Sequence, residues 1–448
     1  MSTPTLLHLA CTRVHEQQQQ GQQPVVVVSA LKGITDTLIN LVANLRNAHG
    51  RATSLQRILQ EGVADLHALH THTLSASKVL TPELSQKLTN TLNELTHDLQ
   101  QSVTEGLNEF HEAQILSYGE RSAAMIFAHI LNKQSITTQV YSGENLGIIT
   151  NATPLDAIID EAPSLQNIRN ALQFPQGKTF VPVITGFIGV TPDGKTTTLG
   201  RGGSDTTACF VGSALNADQV LLWKEVDGVL SADPHMVPEA TTIPYLSYEE
   251  AEESGKVVCG KAVQYLRTTP TKALVVSLIN PLKKTVIGAN RDEPKGVKII
   301  NARRNCMLMI ASDDRMDTYG FLYRISKILY EHTVNMVLIR NTRESLHIVI
   351  EQDHAGRASA ALTQLRHDGF TLHITPVFMI MTIGNLSWDA VNTFNTTLAS
   401  LDAHVLLGSF PYKNCVRMEA IIEDEGAATN MDVIVRTLHT MCITQSTV

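Results

Sequence analysis

The chain has 448 residues, 43% of them hydrophobic and 17% charged, with a formal net charge of −8; that length calls for two or three domains, and that charge offers no basic footprint for nucleic acid or an anionic membrane surface. Six cysteines, Cys11, Cys209, Cys259, Cys306, Cys415 and Cys442, stand apart without CxxC spacing, which speaks against structural zinc and a disulfide framework and for a reducing, cytoplasmic setting. No apolar run approaches the roughly 18 residues of a membrane span, and no basic segment leads into an apolar core as in a signal peptide.

In chain order, TPTLLHLACTRVHEQ reads as a helix and HEQQQQGQQ (15–23) as its polar end and a loop. PVVVVSALKG reads as a strand buried on both faces, as in a parallel sheet. Thr35 and Asp36 then open a helix, TDTLINLVANLRNA, and residues 51–113 keep a helical leucine spacing. QILSYGERSAAMIFAHILN reads as a short loop feeding a helix rich in small residues. Strands are expected at TTQVYS, KTFVPVITGFIGV, DQVLLWKEV and ALVVSLIN. This alternation predicts a layered α/β/α domain with a mostly parallel sheet over residues 1–295. PKGVKIINARRN is basic and reads as a linker. Two βαββαβ patterns follow, over 304–375 and 376–448. Such sheets pair edge to edge and place small-ligand sites at the seam, so they read as regulatory modules, with plain dimerisation domains as the alternative.

The chemistry concentrates in TTTLGRGGSD, residues 196–205. Glycines let a backbone approach a ligand. Arg201 offers a fork for a carboxylate or phosphate. Ser204 or Asp205 could cap a helix beginning at DTTACFVGSAL, whose first amides attract anions. Asp205 stands where a dinucleotide fingerprint needs its third glycine. Phosphate held by the Gly202 and Gly203 amides, with Arg201 and Asp205 flanking, fits phosphoryl transfer; a tight turn before a capped helix is the bland alternative. Seventeen histidines form no HExxH motif, so no metal ligands are assigned.

This loop resembles the signature of the aspartate kinases, within the amino-acid kinase superfamily. VVVVSALKGITDTL, ILSYGERSAA, WKEVDGVLSADPHMVPEA and IPYLSYEEA resemble that family's further motifs in the same order. The C-terminal repeats resemble its paired ACT domains. The resemblance implies ATP-dependent phosphorylation of the β-carboxylate of L-aspartate, with Mg2+ bridging phosphates, as the first step toward lysine, threonine and methionine. It implies that Arg201 clamps a substrate carboxylate, that Ser29 and Thr35 hydrogen-bond substrate, and that Glu120 receives the α-ammonium. Asp205 would organise the site and its lysine partner. Gly202 and Gly203 would approach phosphate, while Lys224, Glu225, Asp227 and Lys261 would face the nucleotide. An amino-acid effector at the ACT domains and a homo-oligomer, dimer or larger, are implied as well. Asn335 stands where an acidic residue often meets an effector ammonium, so lysine inhibition is expected to be weak.

The chain also departs from the pattern. KFGGTSV, which opens the family's first strand with a lysine, has no counterpart, and TPTLLHLACTRVHEQ resembles the helix that follows it. Lys224-Glu225 replaces Thr-Asp before VDG, and GKAVQYLR replaces GAKVLHPR. PVVVVSA is therefore expected to carry one exposed edge. Two explanations are open: a start farther upstream, or a weak or inactive homologue acting as a regulatory or assembly subunit.

Overall fold

The computed structural model describes residues 4–48, 52–173, 180–254, 257–291, 296–312, 320–332, 334–341, 345–351, 357–401, 405–408, 417–424 and 428–443; Cys415 lies outside them. The chain divides into two units, Met1–Val229 with Pro244–Asn290, and Leu230–Ile243 with Arg291–Val448.

Unit 1 opens with α1 (Pro4–Gln19), β1 (Val26–Val28), α2 (Ile34–Asn47), α3 (Ala52–Ala76), α4 (Pro82–Glu105) and α5 (Glu109–Lys133). It continues through β2 (Thr138–Tyr141), α6 (Gly143–Leu146), α7 (Glu161–Ala171), β3 (Val181–Thr185), β4 (Ile188–Val190), β5 (Thr196–Thr198) and α8 (Gly203–Ala214). It closes with β6 (Gln219–Lys224), β7 (Tyr245–Ser247), α9 (Tyr248–Ser254), α10 (Gly260–Val263), β8 (Lys272–Ser277) and β9 (Lys284–Gly288). Strands β1, β3 and β2 form a parallel sheet in that order. A second sheet runs β6-β8-β9-β7, parallel except at β8–β9. The helical stretch follows from spacing and caps. Leu84, Leu88, Leu92, Leu95 and Leu99 recur every three or four residues and are buried along one face of α4. Thr81 caps that helix, accepting from the Leu84 amide at 3.2 Å, with Pro82 at the first helical position.

Two expectations are corrected here. The segment QILSYGERSA is not a loop: it lies inside α5, almost wholly buried. Its serines, glycine and alanines let the helix approach its neighbours closely, so packing overrides the weak helix propensity of the serines and the glycine. Strand β1 is not buried on both faces either. Val28 is buried, but Val26 and Val27 are only half so. β1 pairs with β3 on one side, and among the described residues no strand pairs with its other edge.

Unit 2 comprises β10 (Gly296–Ser312), α11 (Phe321–Glu331), β11 (Met336–Asn341), β12 (Leu346–Glu351), α12 (Arg357–His367), β13 (Thr371–Asn385), α13 (Trp388–Ser400), β14 (Val405–Gly408), β15 (Arg417–Glu423) and α14 (Ala428–Cys442). They build one antiparallel sheet, ordered β11-β12-β10-β13-β15-β14. The expected basic linker is strand: β10 and β13 pair from Gly296↔Asn385 to Ser312↔Thr371, and so serve both repeats. A bulge between Arg303 and Cys306, with Asn305 at φ +54°, re-registers β10 midway. The charges that suggested a linker find partners: Arg303 meets Glu351 at 2.6 Å, and Arg304 pairs with Asp432.

The segment Leu230–Ile243 leaves β6 and returns to β7 of unit 1, yet it packs in unit 2. Ala232, Met236 and Val237 join a core with Ile300, Phe378, Phe394 and Leu438. Ser231 is fully buried; its hydroxyl accepts from the Thr241 amide at 2.9 Å and bonds His439 Nε2 at 2.8 Å. Ser231→Ala strands both partners, and the expected loss is about 1–3 kcal/mol of unit 2 stability. Urea unfolding followed by a reporter in unit 2 measures it, and an unchanged midpoint contradicts this account.

Candidate active site

The site assembles at the C-terminal ends of β1 and β3, where open parallel sheets place their ligands. The Gly186 amide, just past β3, donates to the Val28 carbonyl at 2.9 Å. At Gly186 the first turn of α8 comes so close that a Cβ would lie 2.6 Å from Ser204 Cβ. The Phe187 amide donates to Thr207 Oγ1 of α8 at 3.1 Å. These contacts pin the start of α8 against the strand ends.

The glycine-rich loop feeds that helix. Gly202 is the N-cap residue of α8, at φ +74°, so the helix begins at Gly203 and neither Ser204 nor Asp205 caps it. Asp205 sits inside the first turn, where the macrodipole favours a carboxylate. The left-handed backbone and the neighbouring Cys259, which a Cβ on Gly202 would overlap, leave room for glycine alone. The Cys259 thiol donates to the Arg201 carbonyl at 3.3 Å. The Arg201 side chain is exposed and has no ion-pair partner among the described residues. Lys261, in α10, meets Asp156 at 2.6 Å. Asp156 in turn abuts the loop: its Oδ1 stands where a Cβ on Gly200 would collide with it. Lys224, the last residue of β6, places Nζ 2.8 Å from both oxygens of Asp205.

The other half of the site is acidic. Glu120, midway along α5, is 4% exposed. Its Oε1 accepts from the Ala30 amide at 3.1 Å, and its Oε2 is buried without a partner. Burial pushes its carboxyl up to about 7, opposed by the Ala30 hydrogen bond. Ser29 precedes Ala30 and is exposed. Thr35 is half-buried in the first turn of α2; Gly33, at φ +84°, is the N-cap residue there, so the expected opening of that helix by Thr35 and Asp36 is corrected.

The structure thus joins Arg201, Gly202, Gly203, Asp205, Lys224 and Lys261 around one loop, and Glu120 with Ser29 around the end of β1. Glu225 and Asp227 follow Lys224 in the turn after β6, one exposed and one half-buried. Sequence reasoning missed Asp156, Cys259 and Gly186. Cys259 and Lys261 share the short stretch CGK, the one local signal available; Asp156 and Gly186 carried none. Among the described residues no group of three or more His, Cys, Asp or Glu could hold a metal ion.

Residues 1–288 match the model of the amino acid kinase family. The chain belongs to that family. Within it, the chain shares 30% identity with the aspartokinase of Mycolicibacterium smegmatis over 72% of its own length and 79% of that protein, which sets this amino acid kinase among the aspartokinases. Aspartokinase 2 of Arabidopsis thaliana chloroplasts is 29% identical over 74% of this chain and 61% of that protein; the chain spans about three-fifths of the plant relatives it matches. The fold matches Escherichia coli aspartokinase III in complex with aspartate and ADP, at a TM-score of 0.76 and 20% identity, over 97% of this chain and 95% of that one. The same enzyme in complex with lysine and aspartate gives a TM-score of 0.74 at 21% identity, over 93% of this chain and 92% of that one. At such identity these likenesses establish the fold of this amino acid kinase: an α/β unit followed in the chain by βαββα repeats.

The Glu120 carboxyl gives a pH test. Its folded-state value of about 7 exceeds the ordinary 4.5, so between those values the folded chain keeps a proton that the unfolded chain has released. Stability therefore falls as pH rises through that window, by on the order of 3 kcal/mol at about 1.4 kcal/mol per unit. Glu120→Gln removes the fall. Parallel urea titrations of both proteins at pH 5 and pH 8 read the difference, and equal slopes refute the assignment.

Proposed function

We propose that the chain transfers the γ-phosphoryl group of ATP to the β-carboxylate of L-aspartate, giving 4-phospho-L-aspartate and ADP, the first step toward lysine, threonine and methionine. The observation that carries this reading is the orphaned oxygen of Glu120. A buried carboxyl with one unpartnered oxygen needs a cation, and the α-ammonium of an amino acid supplies it beside an anion-binding loop. Family membership, and the aspartate and ADP held by aspartokinase III of Escherichia coli, support the same substrates.

Each residue then has a task. The ammonium sits on Glu120 and draws its carboxyl back to the ionised form. Arg201 grips a substrate carboxylate through its fork, with Ser29 and Thr35 as hydroxyl partners. The Gly202 amide and the positive end of α8 hold phosphate, while the Gly203 amide donates to the Gly200 carbonyl at 3.0 Å and lets the backbone come close. Lys224, Glu225, Asp227 and Lys261 line the nucleotide side. ATP supplies the phosphoryl group and its leaving group. The substrate's β-carboxylate is already ionised at neutral pH, so no general base is required; the protein's work is positioning and charge neutralisation. Mg2+ would arrive on the nucleotide phosphates, the usual mode for this ion, and this chain's carboxylates are assigned no ligation.

The same reading extends to regulation. Residues 1–295, apart from the 230–243 segment that packs in unit 2, are read as the kinase domain, and 304–375 and 376–448 as ACT-like domains that bind an amino-acid effector in a homo-oligomer. The lysine held by aspartokinase III of Escherichia coli supports that class of effector. Asn335 donates to Glu351 Oε2 at 3.1 Å, which leaves a neutral amide where an ammonium would need a charge. The five described cysteines are all free, in keeping with a cytoplasmic protein, and no described helix is long and apolar enough to cross a membrane.

Hydroxylamine trapping of the acyl phosphate tests the reaction directly. The expected outcome is hydroxamate that depends on L-aspartate and ATP; its absence from folded protein favours the regulatory-subunit reading instead. Arg201→Ala is expected to weaken aspartate binding by roughly 2–4 kcal/mol, and Arg201→Lys to restore it only in part, lacking the fork. Hydroxamate formation with an unaltered aspartate KM in Arg201→Ala removes that residue from the site.

A further inference from the structure

The structure assigns to Lys224 a role beyond lining the nucleotide side: we propose that its ammonium, aimed by Asp205, is the charge that meets the phosphoryl group in flight. The inference rests on the phosphoryl-transfer reading and names its principal cation.

Position is the first ground. Lys224 ends β6, while Asp205 lies on the third residue of α8. The ion pair between them therefore spans two elements and holds Nζ at the first turn of the helix whose cap residue is Gly202. Both side chains are only partly exposed, 27% and 17%, so solvent screens the pair incompletely.

Electrostatics is the second ground. Asp205 needs no lysine to be stable there, because the positive end of α8 already favours its charge. For Lys224 the opposite holds. The same helix end repels an ammonium, so the fold retains this cation against the dipole and Asp205 holds it in place. Arg201 directly precedes the cap residue Gly202 and adds a third positive source. Asp205 is taken up by Lys224 and Asp156, which abuts the loop, by Lys261, so Arg201 and the helix end stay available to an anion. An ammonium carries three donors; Asp205 accounts for two, and among the described residues the third has no partner.

Chemistry is the third ground. An oxygen of the substrate β-carboxylate forms the new P–O bond as the bond from phosphorus to the bridging oxygen breaks. The electron pair leaves with ADP, and no proton changes hands. Negative charge gathers on the equatorial and leaving oxygens. A fixed ammonium there lowers the barrier without giving up its proton. Asp205 is then a positioning residue: it acts through Lys224 and touches no reacting atom.

The full-length chain tests this with two readouts, hydroxamate formation and calorimetric binding of ATP against adenosine. Lys224→Met is expected to lower kcat about 10²–10³-fold, the size of losing one preorganised donor, with aspartate KM changed less than about threefold. ATP binding should weaken at least about tenfold while adenosine binding is kept, because only the phosphates have lost a partner. Lys224→Arg should recover part of the ATP affinity. Asp205→Asn should lower kcat, and adding it to Lys224→Met should lower it little further, as expected of two residues acting as a unit. A kcat for Lys224→Met within threefold of the parent overturns the proposal, as does equal weakening of ATP and adenosine, which marks a merely structural role. Should Lys224→Met not fold, the contrast between Lys224→Arg and Asp205→Asn decides: no change of kcat in either overturns it. If the parent protein traps no hydroxamate, the aspartate reading fails separately, and the ATP-to-adenosine comparison still decides for or against Lys224.

Discussion

One hydrogen bond sets the frame for everything at the site. The Gly186 amide donates to the Val28 carbonyl at 2.9 Å, which ends the pairing of β1 with β3. Because residue 186 lacks a side chain, Ser204 and the first turn of α8 can lie directly on that strand end. The Ala30 amide, two residues beyond Val28, is thereby presented to Glu120. A bulkier residue at 186 would push α8 away and separate the anion loop from the acidic pocket.

Around this frame the charges come in held pairs. Lys224 is bound by Asp205 and Lys261 by Asp156. In each pair an acid at the loop fixes a lysine carried by a different element, so neither ammonium swings freely in water. The exposed Lys261–Asp156 pair adds little to stability, so its value lies in geometry. Glu120 has the contrary problem. Its carboxyl is buried, satisfied by one amide, and short of a counter-charge. The loop side of the site thus offers the Arg201 fork to an anion and the α5 side offers the unpartnered oxygen of Glu120 to a cation, a pattern that a zwitterionic substrate and a polyphosphate together resolve.

Much of this was legible in the residues. The glycine-rich stretch at 200–203 signals close backbone approach wherever it occurs, and a helix was expected directly behind it. The alternation of strands and helices in unit 1, and the repeated pattern after residue 304, were equally plain. What was not legible depends on partners distant in sequence. SYGERSAA looks like a loop because serine and glycine are weak helix formers; it is helix because small residues suit a crowded contact. INARRN looks like a linker because its charges have no visible partner; Glu351 and Asp432 supply them across 48 and 128 residues. VVVV looks buried on both faces because a run of valines does not reveal how fully each face is covered; the open edge of β1, by contrast, was expected. The pairing of Lys224 with Asp205 spans 19 residues and two elements, and no periodicity announces it.

The excursion of residues 230–243 has a consequence for how the chain is made. These residues emerge from the ribosome before most of the strands and helix that enclose them, since Ile300, Phe378, Phe394 and Leu438 all come later. Domains tend to fold as they are synthesised, from the N-terminus onward. Here unit 1 can close around β6 and β7 while the loop between them still exposes Ala232, Met236 and Val237 to solvent. That apolar loop stays uncovered until nearly the last helix has been translated. The nascent chain therefore keeps an apolar segment waiting for partners made later, and a gene cut after β9 would leave that segment bare.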